Sequence, residues 1–142
     1  MKIKIIIICF CFFSCDDIGI QNQNSVNNKS FINAFGTPWY EYGWGITQLH
    51  DGGFVITGRK EDKSTNSHDM ITIRTDENGV GLWQKIYGGS RNEEGYSVVQ
   101  LPDGNILSVG YSWSYGNEQE IFVVKSDLSG RKIWQNTYGG SN

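Results

Sequence analysis

The chain has 142 residues, of which 38% are hydrophobic and 13% aromatic, with 18 glycines and 2 prolines. Its 12 basic and 15 acidic side chains give a net charge of −3 and form no basic stripe, so the composition argues against nucleic-acid binding. Frequent glycine, with Trp, Tyr, Phe, Ile and Val as the main apolar residues, favours short strands joined by tight turns and hence an all-β fold.

The N-terminus is predicted to be an export signal. Residues 1–14 contain two lysines followed by an apolar run over 5–13, which is shorter than the roughly 20 residues that span a bilayer. The run ends at Ser14-Cys15, and a small residue directly before a cysteine resembles the lipobox of bacterial lipoproteins. The resemblance implies that Cys15 is acylated and becomes the first mature residue. The alternative is an ordinary signal peptide in which Cys15 is incidental.

The lipoprotein resemblance also implies where the protein lies. Such a protein is exported and held through its N-terminal lipid at the outer membrane or cell surface, with periplasm-facing placement left open. Cys9 and Cys11 fall inside the leader, so no disulfide is expected in the mature chain. Residues 15–30 are polar, rich in Asn and Gln, and without hydrophobic periodicity, which predicts a flexible tether.

After this tether the sequence is written almost twice. A shift of 52 positions places Trp44 on Tyr96, and past a one-residue deletion a shift of 51 places Trp83 on Trp134. Both copies contain an Asp-Gly pair, an Asp-x-x-Gly-x-x-x-Trp stretch and a terminal Tyr-Gly-Gly-Ser. An internal repeat of this length indicates stacked sheets or a propeller. The predicted repeats are 43–90 and 95–142, within a repeat region that covers 31–142.

Each repeat contains four apolar runs separated by turn signals, which predicts four antiparallel strands joined in sequence order as a meander. The first two strands are joined at Asp51-Gly52 and Asp103-Gly104, a pair typical of a two-residue type I′ hairpin. The predicted strands are 43–49, 54–58, 70–75 and 82–87 in the first repeat, and 95–101, 106–110, 121–126 and 133–138 in the second.

A segment before the first repeat matches only the last strand of a repeat. Phe31 and Phe35 lie 52 positions ahead of Trp83 and Tyr87, so residues 31–36 are predicted to form an orphan outer strand. Two units and one strand cannot close a ring, which typically takes 4 to 8 blades. We therefore expect either a piece of a longer protein or several chains that assemble, with open strand edges that favour self-association.

The Asp-x-x-Gly-x-x-x-Trp stretches that end at Trp83 and Trp134 resemble the tryptophan-docking motif of propellers similar to quinoprotein dehydrogenases. The whole repeat is similar to those of large exported bacterial β-propeller proteins and lipoproteins. The resemblance implies two four-stranded antiparallel meander blades of a partial β-propeller, with Trp83 and Trp134 in structural blade-to-blade packing. It implies little about activity, because a propeller is a scaffold for many functions.

The longer loops of a meander lie opposite its Asp-Gly turns, and propellers usually bind ligands there. Aromatic rings beside charged groups suit stacking on sugar rings or anchoring a protein partner. The alternative is that the tryptophans in these loops only seal the blade ends. The candidate ligand-binding residues are Trp39, Tyr40, Tyr42, Arg59, Arg91, Trp113 and Tyr115, beside the carboxylates of Glu41, Glu93 and Glu94.

No catalytic residue, cofactor or metal site is predicted. His50 and His68 are unmatched between the repeats and lack zinc-ligand spacing, and no serine elbow, phosphate loop or dinucleotide fingerprint occurs. The sequence therefore predicts a non-catalytic, lipid-anchored binding or scaffold module of the cell envelope. The alternative is the N-terminal piece of a propeller enzyme, either quinone-dependent or glycan-active.

Overall fold

The computed structural model describes residues 33–35 and 40–140. These residues form two four-stranded antiparallel sheets, each with its strands in sequence order, which confirms the all-β prediction and the meander order. Sheet 1 contains β1 (Glu41–Gln48), β2 (Phe54–Asp62), β3 (Ser67–Thr75) and β4 (Gly81–Tyr87). Sheet 2 contains β5 (Glu93–Gln100), β6 (Ile106–Ser112), β7 (Glu120–Ser126) and β8 (Lys132–Tyr138).

Several predicted features lie outside the described residues. They are the signal peptide at 1–14, the tether at 15–30 with the lipidation site Cys15, and the candidate Trp39. Across 33–35 and 40–140, no helix is long and apolar enough to cross a membrane.

The Asp-Gly hairpins are three-residue loops rather than type I′ turns. The Gly52 amide donates to the Leu49 carbonyl at 2.9 Å, and the Leu49 amide donates to the Gly53 carbonyl at 2.8 Å. Gly52 has a φ of 86° whereas Asp51 does not have a positive φ, a pattern typical of a type I turn followed by a left-handed glycine. The type I′ prediction was wrong because the Asp51 carboxylate instead accepts from the Gly53 amide at 3.0 Å. The same loop hydrogen bonds recur at 76–80, 101–105 and 127–131.

The first strand of each sheet contains a β-bulge. In sheet 1 the pairing register shifts between Gly43 and Gly45, which leaves Trp44 as an extra residue. The same shift in sheet 2 leaves Tyr96 as the extra residue. A bulge bends its strand and turns a side chain out of the regular alternation. The two repeats therefore each project one aromatic side chain at the same place.

The two sheets pack face to face. We call the face of a sheet that carries Trp83 or Trp134 its leading face, and the opposite face its trailing face. The leading face of sheet 1 covers the trailing face of sheet 2. The buried apolar residues at this contact are Leu49, Val55, Met70 and Tyr87 on the side of sheet 1, and Val98, Ile106, Phe122 and Val124 in sheet 2.

Hydrogen bonds to one hairpin loop fix the position of the sheets. Trp83 Nε1 donates to the Leu128 carbonyl at 3.1 Å, and Tyr87 Oη donates to the Gly130 carbonyl at 2.9 Å. Both acceptors lie in the 127–131 loop of sheet 2. The Trp83 ring also packs against the cluster around Val55. The last strand of sheet 1 is thus joined to the last hairpin of sheet 2.

The segment before β1 covers part of the trailing face of sheet 1. Phe35 packs on the cluster of Ile56, Ile71 and Ile73, and Asn33 Nδ2 donates to the Gly79 carbonyl at 2.7 Å. Residues 33–35 pair with neither edge strand of sheet 1 and are not in a strand, and the rest of the segment 31–36 lies outside the described residues. The orphan strand was expected to complete another sheet, so it stays a prediction.

Although it is not a strand, this segment takes the position that β4 takes on sheet 2. Phe35 lies 52 positions before Tyr87, and each ring covers equivalent residues on a trailing face. Asn33 donates to the Gly79 carbonyl as Tyr87 donates to the Gly130 carbonyl. The segment therefore caps the first sheet with contacts of the kind that join the two sheets.

The glycine opposite each bulge gives the first test. A Cβ on Gly110 would lie 1.6 Å from the Glu94 carbonyl oxygen, so Gly110→Ala must push β5 and β6 apart. We expect it to lower the free energy of unfolding by at least about 3 kcal/mol, measured by urea denaturation followed by tryptophan fluorescence.

Gly104→Ala is the matched control for this test. Gly104 has a φ of +82° but no heavy atom within 4 Å of an added Cβ. The left-handed backbone alone should cost roughly 1–2 kcal/mol. Equal losses for the two alanine variants would show that the close approach at Gly110 does not matter.

Candidate functional site

Four aromatic rings form a continuous row that crosses from sheet 1 to sheet 2. We call Tyr42, Trp44, Tyr96 and Tyr111 the aromatic row. Their ring centroids are 6.1 Å apart for Tyr42 and Trp44, 5.3 Å for Trp44 and Tyr96, and 5.8 Å for Tyr96 and Tyr111. The two bulge residues are its most accessible members, since Trp44 is 43% and Tyr96 50% exposed. The row thus offers aromatic surface to solvent at the junction of the sheets.

A partly buried ion pair supports the row from beneath. Arg59 Nη1 lies 2.6 Å from Glu94 Oε1, and Glu94 is only 5% exposed. The guanidinium lies over the Tyr42 ring at 4.5 Å and over the Trp44 ring at 5.6 Å, which are cation–π distances. Tyr96 Oη donates to Glu94 Oε2 at 2.8 Å. The Arg59–Glu94 ion pair and the rings of Tyr42, Trp44 and Tyr96 therefore fix one another's positions.

The electrostatics keep Glu94 ionised. Burial raises the pKa of Glu94, but hydrogen bonds from Arg59, Tyr96 and Tyr111 outweigh burial and hold it below its ordinary value. Burial and the Glu94 carboxylate raise the pKa of Tyr111, so that hydroxyl stays protonated as a donor. Arg59 Nη2 also lies 3.6 Å from Glu61 Oε1, so two carboxylates share the one cation and the surface beneath the rings does not attract anions.

His68 adjoins the same carboxylate but is not its main partner. Its Nε2 lies 2.9 Å from Glu94 Oε1 at an angle outside hydrogen-bond geometry. Burial and the nearby Arg59 cation lower the pKa of His68, against the opposite influence of Glu94. The imidazole is therefore neutral at pH 7 and adds no charge to the site.

The carboxyl group of Asp69 contacts Glu93, the residue next to Glu94, where the two sheets are linked. Glu93 is fully buried, and it accepts from Ser112 Oγ at 2.5 Å and from the Gly89 amide at 2.8 Å. Burial, the Glu93 charge and a hydrogen bond to Glu93 raise the pKa of Asp69 to about 6. Below that pH the proton on Asp69 relieves the repulsion between the two carboxyl groups.

The Asp69–Glu93 pair does not have the geometry of a glycosidase. The two carboxyl groups of such enzymes stand roughly 5 Å or more apart, with the sugar between them. Here the two side chains are hydrogen-bonded to each other, and Glu93 is closed off from solvent. Among the residues that the structure describes, no group of three or more His, Cys, Asp or Glu side chains could hold a metal ion.

The structure divides the candidates predicted from the sequence. Tyr42 and Arg59 lie together at the aromatic row, with Glu94. Tyr40 instead contacts Lys63, whose Nζ is 5.3 Å from its ring.

The remaining candidates form a second group at the 112–119 loop. Arg91 Nη1 donates to the Trp113 carbonyl at 3.3 Å, and Trp113 is 38% exposed. Tyr115 Oη donates to the Gly88 carbonyl at 2.9 Å, and its ring stacks on buried Phe122 at 5.7 Å. Tyr115 thus covers one side of Phe122 but is itself 43% exposed, so both aromatic rings of this group are accessible.

Trp44, Tyr96 and Tyr111 were not among the candidates predicted from the sequence. Their signal was the repeat itself, because an aromatic residue follows the same glycine in both copies, at Trp44 and Tyr96. The alternation of apolar and polar residues placed Trp44 and Tyr96 inside regular strands. It did not indicate that these two side chains are exposed. No family model matches this sequence, and no curated protein is similar enough to count as a relative.

The raised pKa of Asp69 gives a test of the site by the pH dependence of stability. Its folded pKa of about 6 exceeds the ordinary 3.8, so its stabilising contribution is complete below pH 3.8 and is lost as the pH rises through 6. Asp69→Asn keeps a neutral partner for Glu93 at every pH. Between pH 4 and pH 7 the variant should therefore gain about 1 kcal/mol on the wild type, after allowance for solvent screening.

The measurement is urea denaturation of both proteins across this pH range. Subtracting the two profiles removes the titration of His68 and of other groups that both chains share. Parallel profiles would show that folding does not raise the pKa of Asp69.

Proposed function

We propose that this chain is a non-catalytic, lipid-anchored binding module of the cell envelope, which binds uncharged glycan chains at its aromatic row. Its two sheets are proposed to be consecutive blades of a β-propeller-type protein. The observation that carries the binding proposal is the pair of bulges that expose Trp44 and Tyr96 side by side.

The packing of the sheets supports the propeller proposal. Consecutive four-stranded meanders lie face to face, and each has the same hairpin loops and the same bulge. A propeller is a radial series of such sheets, and its ring typically takes 4 to 8 of them. Further units are therefore needed to complete a ring around the two described here.

The chemistry of the row supports a glycan as ligand. Aromatic side chains offer large apolar area with polar groups at their edge, which suits a sugar ring with its C–H surfaces and hydroxyls. Arg59, whose side chain is 25% exposed, can hydrogen-bond hydroxyl groups, yet its charge is paired with that of Glu94 at 2.6 Å. A surface of this kind favours neutral sugars over phosphates or anionic peptides.

The enzymatic alternative has no comparable support. A glycan-active or quinone-dependent enzyme needs reactive groups open to substrate, whereas the strongest carboxyl pair, Asp69 and Glu93, is closed by mutual hydrogen bonding. Glu94 is likewise held by Arg59 and two tyrosine hydroxyls. Glu94 thus serves to position the row.

Binding is tested on a glycan array with the purified chain. Trp44→Ala and Tyr96→Ala should each weaken binding about tenfold, since each removes about 1 to 1.5 kcal/mol of aromatic contact. Trp113→Ala removes an equally accessible ring from the second group and should leave binding unchanged. If Trp113→Ala alone abolishes binding, the ligand lies at the 112–119 loop instead.

The proposed lipid anchor is tested by cell fractionation. Cys15→Ala should move the protein from the membrane fraction to the soluble fraction, because it removes the acylated residue. Cys11→Ala, which changes a leader cysteine, is the matched control and should stay with membranes. Membrane partitioning of the Cys15→Ala protein would argue for another mode of attachment.

A further inference from the structure

The leading face of sheet 2 is uncovered, although it carries the residue types that are buried on sheet 1. Tyr138 is 54% exposed and Trp134 is 37% exposed, and they are the equivalents of Tyr87 and Trp83 after a shift of 51. Ile121 is 55% exposed, whereas its equivalent Met70 is fully buried. These three side chains share one face of sheet 2 by the pairing of β7 with β8.

The opposite end of the molecule presents the complementary surface. On the trailing face of sheet 1, Ile46 is 45% and Ile86 is 47% exposed, and Leu82 beside them is 52% exposed. Val98, the equivalent of Ile46 after a shift of 52, is 4% exposed because sheet 1 covers it. Among the described residues, the leading face of sheet 2 and the part of the trailing face of sheet 1 beside Phe35 are therefore uncovered, and the contact between the two sheets shows how the two kinds of face fit.

We propose that a second copy of this chain docks head to tail, with the leading face of sheet 2 of one copy on the trailing face of sheet 1 of the next. Contiguous apolar surface of this kind marks an interaction site. By equivalence with Tyr87, Tyr138 Oη donates to the Gly79 carbonyl of the next copy. The contact is heterologous, so each added copy again exposes a leading face. The inference is independent of the glycan proposed above, because it rests on the packing of the sheets.

The N-terminal segment competes with this docking. Phe35 covers Ile71 and Ile73 where the incoming Tyr138 must lie, and Asn33 Nδ2 already donates to the Gly79 carbonyl. Docking therefore displaces the Phe35 cap and exchanges its contacts for those of Tyr138. A small apolar pocket lies beside this ring and is lined by Phe35, Ile56 and Ile71. Self-association is thus weakened, but not prevented, by the cap.

Sedimentation equilibrium of the full chain in density-matched detergent micelles tests the proposal. The wild type should show reversible association, and Tyr138→Ala should weaken the association constant by about tenfold. Phe35→Ala should strengthen association, because it uncovers the acceptor face. The leader is common to all variants, so differences between them report on the faces alone.

Trp113→Ala is the control, since this exposed ring lies on neither face, and its association should equal that of the wild type. Tyr138 is exposed, so Tyr138→Ala should also leave the thermal unfolding midpoint unchanged, which separates lost docking from lost folding. A monomer at all concentrations, or equal association for Tyr138→Ala and Trp113→Ala, would overturn the proposal. Association that Phe35→Ala weakens would also contradict it.

Discussion

The rest of the structure depends on the contact between the leading face of sheet 1 and the trailing face of sheet 2. A single four-stranded sheet has two faces and cannot cover either one, so neither repeat has a closed core of its own. Met70 and Phe122, both fully buried, come from different repeats and lie in the same cluster. The hydrogen bonds of Trp83 and Tyr87 to the 127–131 loop then set the angle of the contact. Burial of apolar side chains stabilises the contact, and these hydrogen bonds fix the position of one sheet on the other.

Polar groups of the candidate site belong to the same contact. Arg59 comes from sheet 1 and Glu94 from sheet 2, and their ion pair joins the sheets beneath the aromatic row. Asp69 and Glu93 likewise belong to different sheets, and below about pH 6 a proton on Asp69 relieves their repulsion. The site therefore exists only while the sheets are packed, and its geometry is as rigid as their contact. Binding and stability are coupled in this molecule through a few residues at the ends of β2, β3 and β5.

The strand order was predictable from the sequence because the apolar runs are short and separated by glycine turns. The turn geometry was less so, since Asp51-Gly52 is compatible with two kinds of hairpin and only the Asp51 carboxylate decides between them. The contact of Phe35 with sheet 1 was not predictable, because a match to the sequence of β4 does not show which face the segment covers. The site was half predictable: Tyr42 and Arg59 stood out by type and loop position. Trp44 and Tyr96 did not, because a bulge shows in pairing and not in alternation.

The bulge at Tyr96 has a consequence for the strand that carries it. Glu93 pairs with Ser112 and Val98 pairs with Ser108, so these two residues of β5 share one face despite an odd separation. The extra residue, Tyr96, reverses which face of the sheet the side chains on either side of it occupy. In a strand of uniform alternation, Glu94 rather than Glu93 would lie on the face of Val98, and the two adjacent carboxylates would exchange environments. The one extra residue at Tyr96 thus decides that Glu94 pairs with Arg59 and that Glu93 contacts Asp69.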